Sequence, residues 1–372
     1  MENKNKRTWI EITQKNLVSN FKTLSKISGK NIKKMVVVKS NAYGHGIVDC
    51  AKILEKAGAD FLAVDSFEEA VLLRNSNLKK PILVFGFTYK ENFKEAAKKN
   101  ISLTISNSQS LKDLIASNHK VKVHIKADTG LHRQGFLESE MDNVKKTLSK
   151  NKNVIFEGLY THLAGAESNK FLSYTEKQIT SFNRWTAELY EVNPDILIHC
   201  AASSASMLYP ESRFNMVRFG IALYGLWPSK ETEVGIPEIV LKPVLKWNSI
   251  VSEVKKIEKG EPVGYDCSEE LVRDSVIGVI PIGYWHGYPR HASKKSFVLV
   301  KGQRAKILGK VSMDMIVVDL TNIKNPKQGD VVTLIGVSGT NEVSAEELAN
   351  YCDTINYEII TRINPEITRF LK

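Results

Sequence analysis

The chain is poor in cysteine: Cys50, Cys200, Cys267 and Cys352 are four in 372 residues, and no two form a Cys-x-x-Cys pair. That excludes the common zinc and dithiol motifs, so no metal centre is expected and the thiols read as reduced, in a cytoplasmic protein. No apolar run approaches the roughly 20 residues of a membrane span, and residues 1–29 lack the apolar core of an export signal. A soluble, unexported protein with no membrane partner is expected. Basic tracts are missing as well. The net charge is +11, yet Lys33, Lys34, Lys79, Lys80, Lys98, Lys99, Lys255 and Lys256 lie among acids, without interleaved aromatics. Nucleic acid is therefore not the expected partner, and the charge favours small anions. There is no internal repeat and no low-complexity linker.

What the chain does have is length and alternation. With 372 residues, 42% of them hydrophobic, it is long enough for two domains. Short apolar runs over 35–38, 61–64, 82–85, 101–105, 121–127, 154–160, 196–201 and 214–219 predict eight strands. Helical patterns separate them, at 47–57, 67–74, 92–99, 108–116 and 174–192. In the last of these Ile179, Phe182, Trp185 and Leu189 share one face. Ser66 and Asn107 read as N-caps. Strand-then-helix units repeated eight times predict an α/β fold, an N-terminal (β/α)8 TIM-type barrel. From about Glu238 the texture changes to Val- and Ile-rich runs with turn signals and little helix, a C-terminal mostly-β domain. The expected domains are residues 1–238 and residues 239–372, with the first strand free to join the β-domain.

Val36, Val37 and Val38 run into Lys39, and Ser40-Asn41-Ala42-Tyr43-Gly44-His45-Gly46 follows with residues that let the backbone bend. A lysine at the mouth of an apolar interior is expected to be partly desolvated, which makes it a candidate Schiff-base nucleophile. The plainer reading is a lysine snorkelling to solvent. Barrels of this type place their chemistry at the carboxyl ends of the strands. The polar residues there are Lys39, Tyr43, Lys126, Asp128, Arg133, His162, His199, Ser203, Ser204 and Arg218, with Gly220 and Ile221 beside them. Hydroxyls and backbone N–H groups near the last two strands suit a phosphate, and a Schiff-base lysine facing a phosphate suggests pyridoxal phosphate. Singly, each has a plainer role: core histidines for His162 and His199, a surface ion pair for Arg133, a helix cap for Ser203.

Longer motifs carry a resemblance. Residues 37–46 read Val-Val-Lys-Ser-Asn-Ala-Tyr-Gly-His-Gly, 124–135 read His-Ile-Lys-Ala-Asp-Thr-Gly-Leu-His-Arg-Gln-Gly, and 217–225 read Val-Arg-Phe-Gly-Ile-Ala-Leu-Tyr-Gly. Pro281-Ile282-Gly283-Tyr284, Val311-Ser312-Met313-Asp314-Met315 and Ile355-Asn356-Tyr357-Glu358 continue it nearly to the end. In these the chain resembles the alanine racemases, pyridoxal 5'-phosphate enzymes built from a barrel and a β-domain. The resemblance implies interconversion of L- and D-alanine by two bases, supplying D-alanine for cell-wall peptidoglycan. It implies that Lys39 holds the cofactor and serves one face of the α-carbon, while Tyr265 serves the other from the partner subunit of a homodimer. His162 is the expected cation beside Tyr265. Arg218 would face the pyridine nitrogen, and Arg133 the phenolic oxygen and the substrate carboxylate. Lys126 matches a position that can carry a carbamate in the family, an anion that would orient Arg133. Tyr43, Ser203, Gly220, Ile221 and Tyr357 would hold the phosphate, and Tyr357 would also crowd the substrate side chain. Met313 and Asp314, with Tyr284 in support, would close the substrate site.

Two motifs depart from the family's pattern. His199-Cys200-Ala201-Ala202-Ser203 has Ala202 where the family usually has Asn, and Gly283-Tyr284-Trp285-His286-Gly287-Tyr288 has His286 where it usually has Asp. Neither removes a base, so they bear on substrate range: serine, lysine or ornithine stay open beside alanine. Two other classes also stay open. A barrel-only pyridoxal-phosphate carrier would lack the β-domain, and a decarboxylase of the same architecture would use a cysteine-acid pair such as Cys352-Asp353.

Overall fold

Every predicted barrel run becomes a strand. The structure, a computed structural model describing residues 6–372, has eight of them in one parallel sheet: Lys33–Val37, Phe61–Val64, Ile82–Val84, Ile101–Ile105, Val121–Lys126, Val154–Tyr160, Leu197–His199 and Met216–Phe219. They pair in chain order, and the eighth returns to lie beside the first, Lys34 opposite Val217. Between the seventh and eighth the Arg218 N–H donates to the Ala201 carbonyl at 3.0 Å, which draws the sheet towards closure. Nearly all strand residues are buried on both faces, which is why they read as continuous apolar runs. Helix Leu172–Tyr190 buries the expected face, Ile179, Phe182, Trp185 and Leu189, at about 1.5–3 kcal/mol for each large apolar side chain. Ser66 caps Phe67–Asn75 in a full capping box with Glu69, and the Asn107 side chain accepts from Ser110 N–H at the start of Ser108–Ser117.

Helix Met141–Lys150 and, from Asn16 onward, helix Gln14–Ser28 also belong to this unit and were not expected. Met141–Lys150 buries only Val144 and Leu148, too thin a stripe to stand out among lysines and serines.

The second unit is built on a sheet of ten strands. It includes the predicted runs as Leu245–Ile250, Ser275–Ile280, Phe297–Val300, Gln303–Leu308, Ile316–Asp319 and Val331–Ser338, with helices Ala345–Tyr351 and Asn356–Thr361. The unpredicted strand Thr8–Ile12 pairs antiparallel with Leu245–Ile250 and parallel with Arg369–Leu371. The observed division therefore differs from residues 1–238 and 239–372. The barrel unit holds Asn16–Ala42 and Ile47–Lys242; the β unit holds the described residues up to Lys15, Tyr43–Gly46 and Pro243–Lys372. Ladder hydrogen bonds to strands far along the chain draw the first segment into the β unit. Among the described residues no helix is long and apolar enough to cross a membrane.

Candidate active site

Lys39 follows directly on the first barrel strand, and its amine lies 3.0 Å from Asp65, just past the second. The apolar setting expected for it is not what the fold provides: the side chain is 35% exposed and paired with a carboxylate. The backbone beyond it is unusual. Ser40, Asn41, Ala42 and Tyr43 have left-handed φ values of 54°, 55°, 54° and 53°, a conformation costing non-glycine residues about 1–2 kcal/mol each. The turn is held from outside. Ser40 N–H donates to Glu69 Oε1 at 2.6 Å, Ile47 N–H to Asn41 Oδ1 at 3.0 Å, and Ala42 N–H to the Val38 carbonyl at 2.8 Å. The other oxygen of Glu69 accepts from Asp65 N–H at 2.9 Å, so one carboxylate ties the Lys39 turn to the residue carrying its counter-ion. In the β unit Gly44 has φ 85°, and a Cβ there would sit 2.0 Å from the Ile360 carbonyl oxygen, a contact only glycine allows. The Tyr43 ring stands 6.2 Å from that of Tyr357.

Arg218, on the eighth strand, is buried and held on almost every side. Its Nη1 donates to His199 Nδ1 and the His199 carbonyl, both at 2.9 Å. Nη2 donates to the carbonyls of Thr161 at 2.9 Å and Cys200 at 2.8 Å, and to His162 Nδ1 at 3.2 Å. Among the described residues only its Nε–H finds no acceptor. Burial, then the charges of Arg218, Arg133, Lys126 and Lys39, hold the His162 imidazole well below its usual range. His162 Nδ1 thus accepts from the Arg218 guanidinium in a strongly cationic setting.

Lys126 is buried at the end of the fifth strand, donating to Gln134 Oε1 at 3.2 Å. Burial, then the charges of Arg133 and Arg218, lower its pKa to about 8. Arg133 is exposed and, among the described residues, enters no ion pair, so the surface-pair reading does not apply to it. Ser203 is the first residue of helix Ser203–Leu208 rather than its cap, and its hydroxyl accepts from Gly220 N–H at 2.9 Å. Ile221 opens a 3-10 turn after Gly220, and neither turn has a side-chain cap. Their first N–H groups are thus donors without intrahelical partners. Ser204 instead donates to the Ala166 carbonyl at 2.6 Å, a structural role.

In the β unit Tyr265, Tyr284 and Met313 are exposed, at 69%, 44% and 54%. Tyr284 N–H donates to the Ser312 carbonyl and Trp285 N–H to the Met313 carbonyl, at 3.1 and 3.0 Å, which joins the loop carrying Tyr284 to the one carrying Met313 and Asp314.

Residues 12–228 match the family model of the alanine racemase N-terminal domain and residues 244–371 that of the alanine racemase C-terminal domain. The chain belongs to the alanine racemase family. It is 37% identical to the alanine racemase of Methanococcus maripaludis, over 97% of each chain. It is 38% identical to alanine racemase 1 of Bacillus subtilis, over 97% of this chain and 92% of that one. The crystal structure of Bacillus anthracis alanine racemase with bound L-Ala-P has TM-score 0.93 and 34% identity, covering 99% of this chain and 95% of that one. The barrel-only and decarboxylase classes fall away. Burial raises the pKa of the Cys352 thiol, away from the activation a reacting cysteine needs.

The two departures from the racemase pattern have plain structural consequences. Ala202 is the N-cap of Ser203–Leu208 and has no side chain to satisfy its first N–H groups. His286 Nδ1 accepts from Gly283 N–H at 3.2 Å, so an acceptor remains in the loop of Tyr284. Asp65, Glu69, His124 and Glu157 were missed as site residues. Alternation of Lys122, His124 and Lys126 along a strand of otherwise apolar residues was the one signal that pointed to a polar interior.

Proposed function

We propose that this chain interconverts L-alanine and D-alanine with bound pyridoxal 5'-phosphate, supplying D-alanine for cell-wall peptidoglycan. The full-length match to alanine racemases, across both units, is the observation that carries the reading. The barrel end suits that cofactor chemically. Lys39, Lys126, Arg133 and Arg218 form a cationic group that adds to burial in holding His162 down, and Arg218 offers a spare N–H donor. Two uncapped helical turns beside Ser203, Gly220 and Ile221 offer backbone N–H groups to a phosphate. When bound, pyridoxal phosphate supplies the electron sink that makes an α-proton removable.

This chain's residues do the rest. Lys39 holds the cofactor and, when free, takes or returns the α-proton on one face, while Tyr265 does so on the other. A proton lost to one base and regained from the other inverts the centre with no net change in composition. Arg218, a permanent cation and donor, faces the pyridine nitrogen, and Arg133 grips the substrate carboxylate with a planar fork. Tyr43 and Tyr357, whose rings stand side by side, are the family's further phosphate contacts by motif likeness. The exposure of Tyr265, Tyr284, Trp285, Met313 and Met315 supports a homodimer in which a second copy covers them and shares its Tyr265, Met313 and Asp314. A small number of widely spaced cysteines, with no Cys-x-x-Cys pair, supports a cytoplasmic setting.

Lys126 carries a carbamate in this reading, an anion that orients Arg133. With a pKa of about 8, roughly a tenth of its amine is neutral at pH 7 and most of it above pH 8. The carbamate should therefore rise with pH through this range. In 13C NMR with labelled bicarbonate, a carbamate signal is expected that Lys126→Ala abolishes; its absence in the unmutated enzyme would contradict the assignment.

Alanine is the expected substrate, because a tyrosine ring at position 357 leaves room for a methyl group and little more. It should lead serine, lysine and ornithine by at least about tenfold in kcat/KM, roughly 1.4 kcal/mol. Product chirality from single L-amino acids measures this. Faster turnover of lysine or ornithine would overturn the alanine reading and leave the two-base chemistry standing.

A further inference from the structure

Inside the barrel runs a line of polar side chains that proton transfer at the α-carbon does not use. Lys122, His124 and Lys126 alternate along the fifth strand and so share a face. The sixth strand bulges opposite them. Val123 pairs with Phe156 and His124 with Gly158, which leaves Glu157 as the extra residue, turned towards His124. Gly158 makes room for the ring, since a Cβ there would stand 2.3 Å from His124 Nδ1.

The contacts form a chain. Arg218 Nη1 lies 2.9 Å from His199 Nδ1, His199 Nε2 lies 2.8 Å from His124 Nδ1, and His124 Nε2 lies 3.3 Å from Glu157 Oε2. Glu157 is fixed in turn by the Ser102 hydroxyl and by Lys122 Nζ at 3.1 Å. Elementary donor counting orders the protons. A guanidinium has only donors, so His199 Nδ1 must be bare and its proton must sit on Nε2. That proton needs an acceptor, which makes His124 Nδ1 bare and places the His124 proton on Nε2, facing the carboxylate. Every link then points from the buried cation to the anion in the bulge. The Tyr160 ring stacks on His199 at 4.8 Å and 3°, fixing its plane.

We propose that Glu157 and His124 are positioning residues: anchored in the bulge, they set the tautomer of His199 and so pin Arg218 with its Nε–H as the donor left for the bound cofactor. This rests on the reading of Arg218 as the residue that faces the pyridine nitrogen. With only eight histidines in the chain, 15N-histidine NMR of the holoenzyme can report each tautomer, assigned through His124→Gln and His199→Gln. Both rings should be neutral and protonated on Nε2. Glu157→Ala should scramble that order and lower kcat about tenfold with KM changed by less than about twofold. Glu157→Gln keeps an acceptor for His124 and should restore both the order and most of kcat, whereas a purely structural role would move neither tautomer signal. A His199 proton on Nδ1, or a doubly protonated His124, in the unmutated holoenzyme overturns the proposal even if Glu157→Ala fails to fold. So does a folded Glu157→Ala with unchanged tautomers or unchanged kcat. An intact proton order with racemisation indifferent to Arg218→Lys would overturn the reading of Arg218 instead.

Discussion

Lys39→Ala should be colourless after reconstitution with pyridoxal phosphate and should lose racemisation by about 10⁴-fold or more, because one change removes both the tether for the cofactor and a base. The unmutated protein should be yellow, and borohydride should fix the cofactor on a single lysine. The local structure gives reasons for that lysine to be Lys39. Its amine rests on Asp65 at 3.0 Å, within reach of solvent, on a turn of four left-handed residues held by Glu69 and Asn41. A strained turn that surrounding contacts hold in place positions an amine more tightly than a flexible loop would. Peptide mapping that located the label on Lys126 instead would mean the roles of the two lysines had been exchanged.

The second large effect is expected at Tyr265. Tyr265→Phe keeps the ring and removes only the phenolic oxygen, so folding and cofactor binding should persist while racemisation falls by at least about a thousandfold. Because Tyr265 is proposed to serve a second copy, inactive Lys39→Ala and inactive Tyr265→Phe chains should recover activity when mixed and allowed to exchange. One site of the hybrid then carries both defects and the other neither. Verified heterodimers without activity would show that each chain uses its own tyrosine.

The barrel was readable because its strands are buried on both faces, so each of the eight appears as an apolar run between turn or cap residues. The same logic failed for Thr8–Ile12. Its Glu11 and its remote partners, Leu245–Ile250 and Arg369–Leu371, mean that its pairing is decided far along the chain. Helix Met141–Lys150 was hidden because its apolar stripe is two residues deep. At the site, Lys39, Arg133 and Arg218 were legible from residue chemistry at strand ends and from motif likeness. The carboxylates around them were not. Asp65 and Glu69 come from the next βα unit, and Glu157 reaches His124 only because a bulge adds a residue to its strand.

Exchange of the α-proton with solvent deuterium, followed separately for L- and D-alanine in holoenzyme bearing Tyr265→Phe, tests the two-base scheme most directly. With Lys39 intact and the opposite base removed, exchange should survive for one enantiomer near its original rate and collapse for the other. Equal loss of exchange from both enantiomers, in a folded and cofactor-loaded protein, would contradict it.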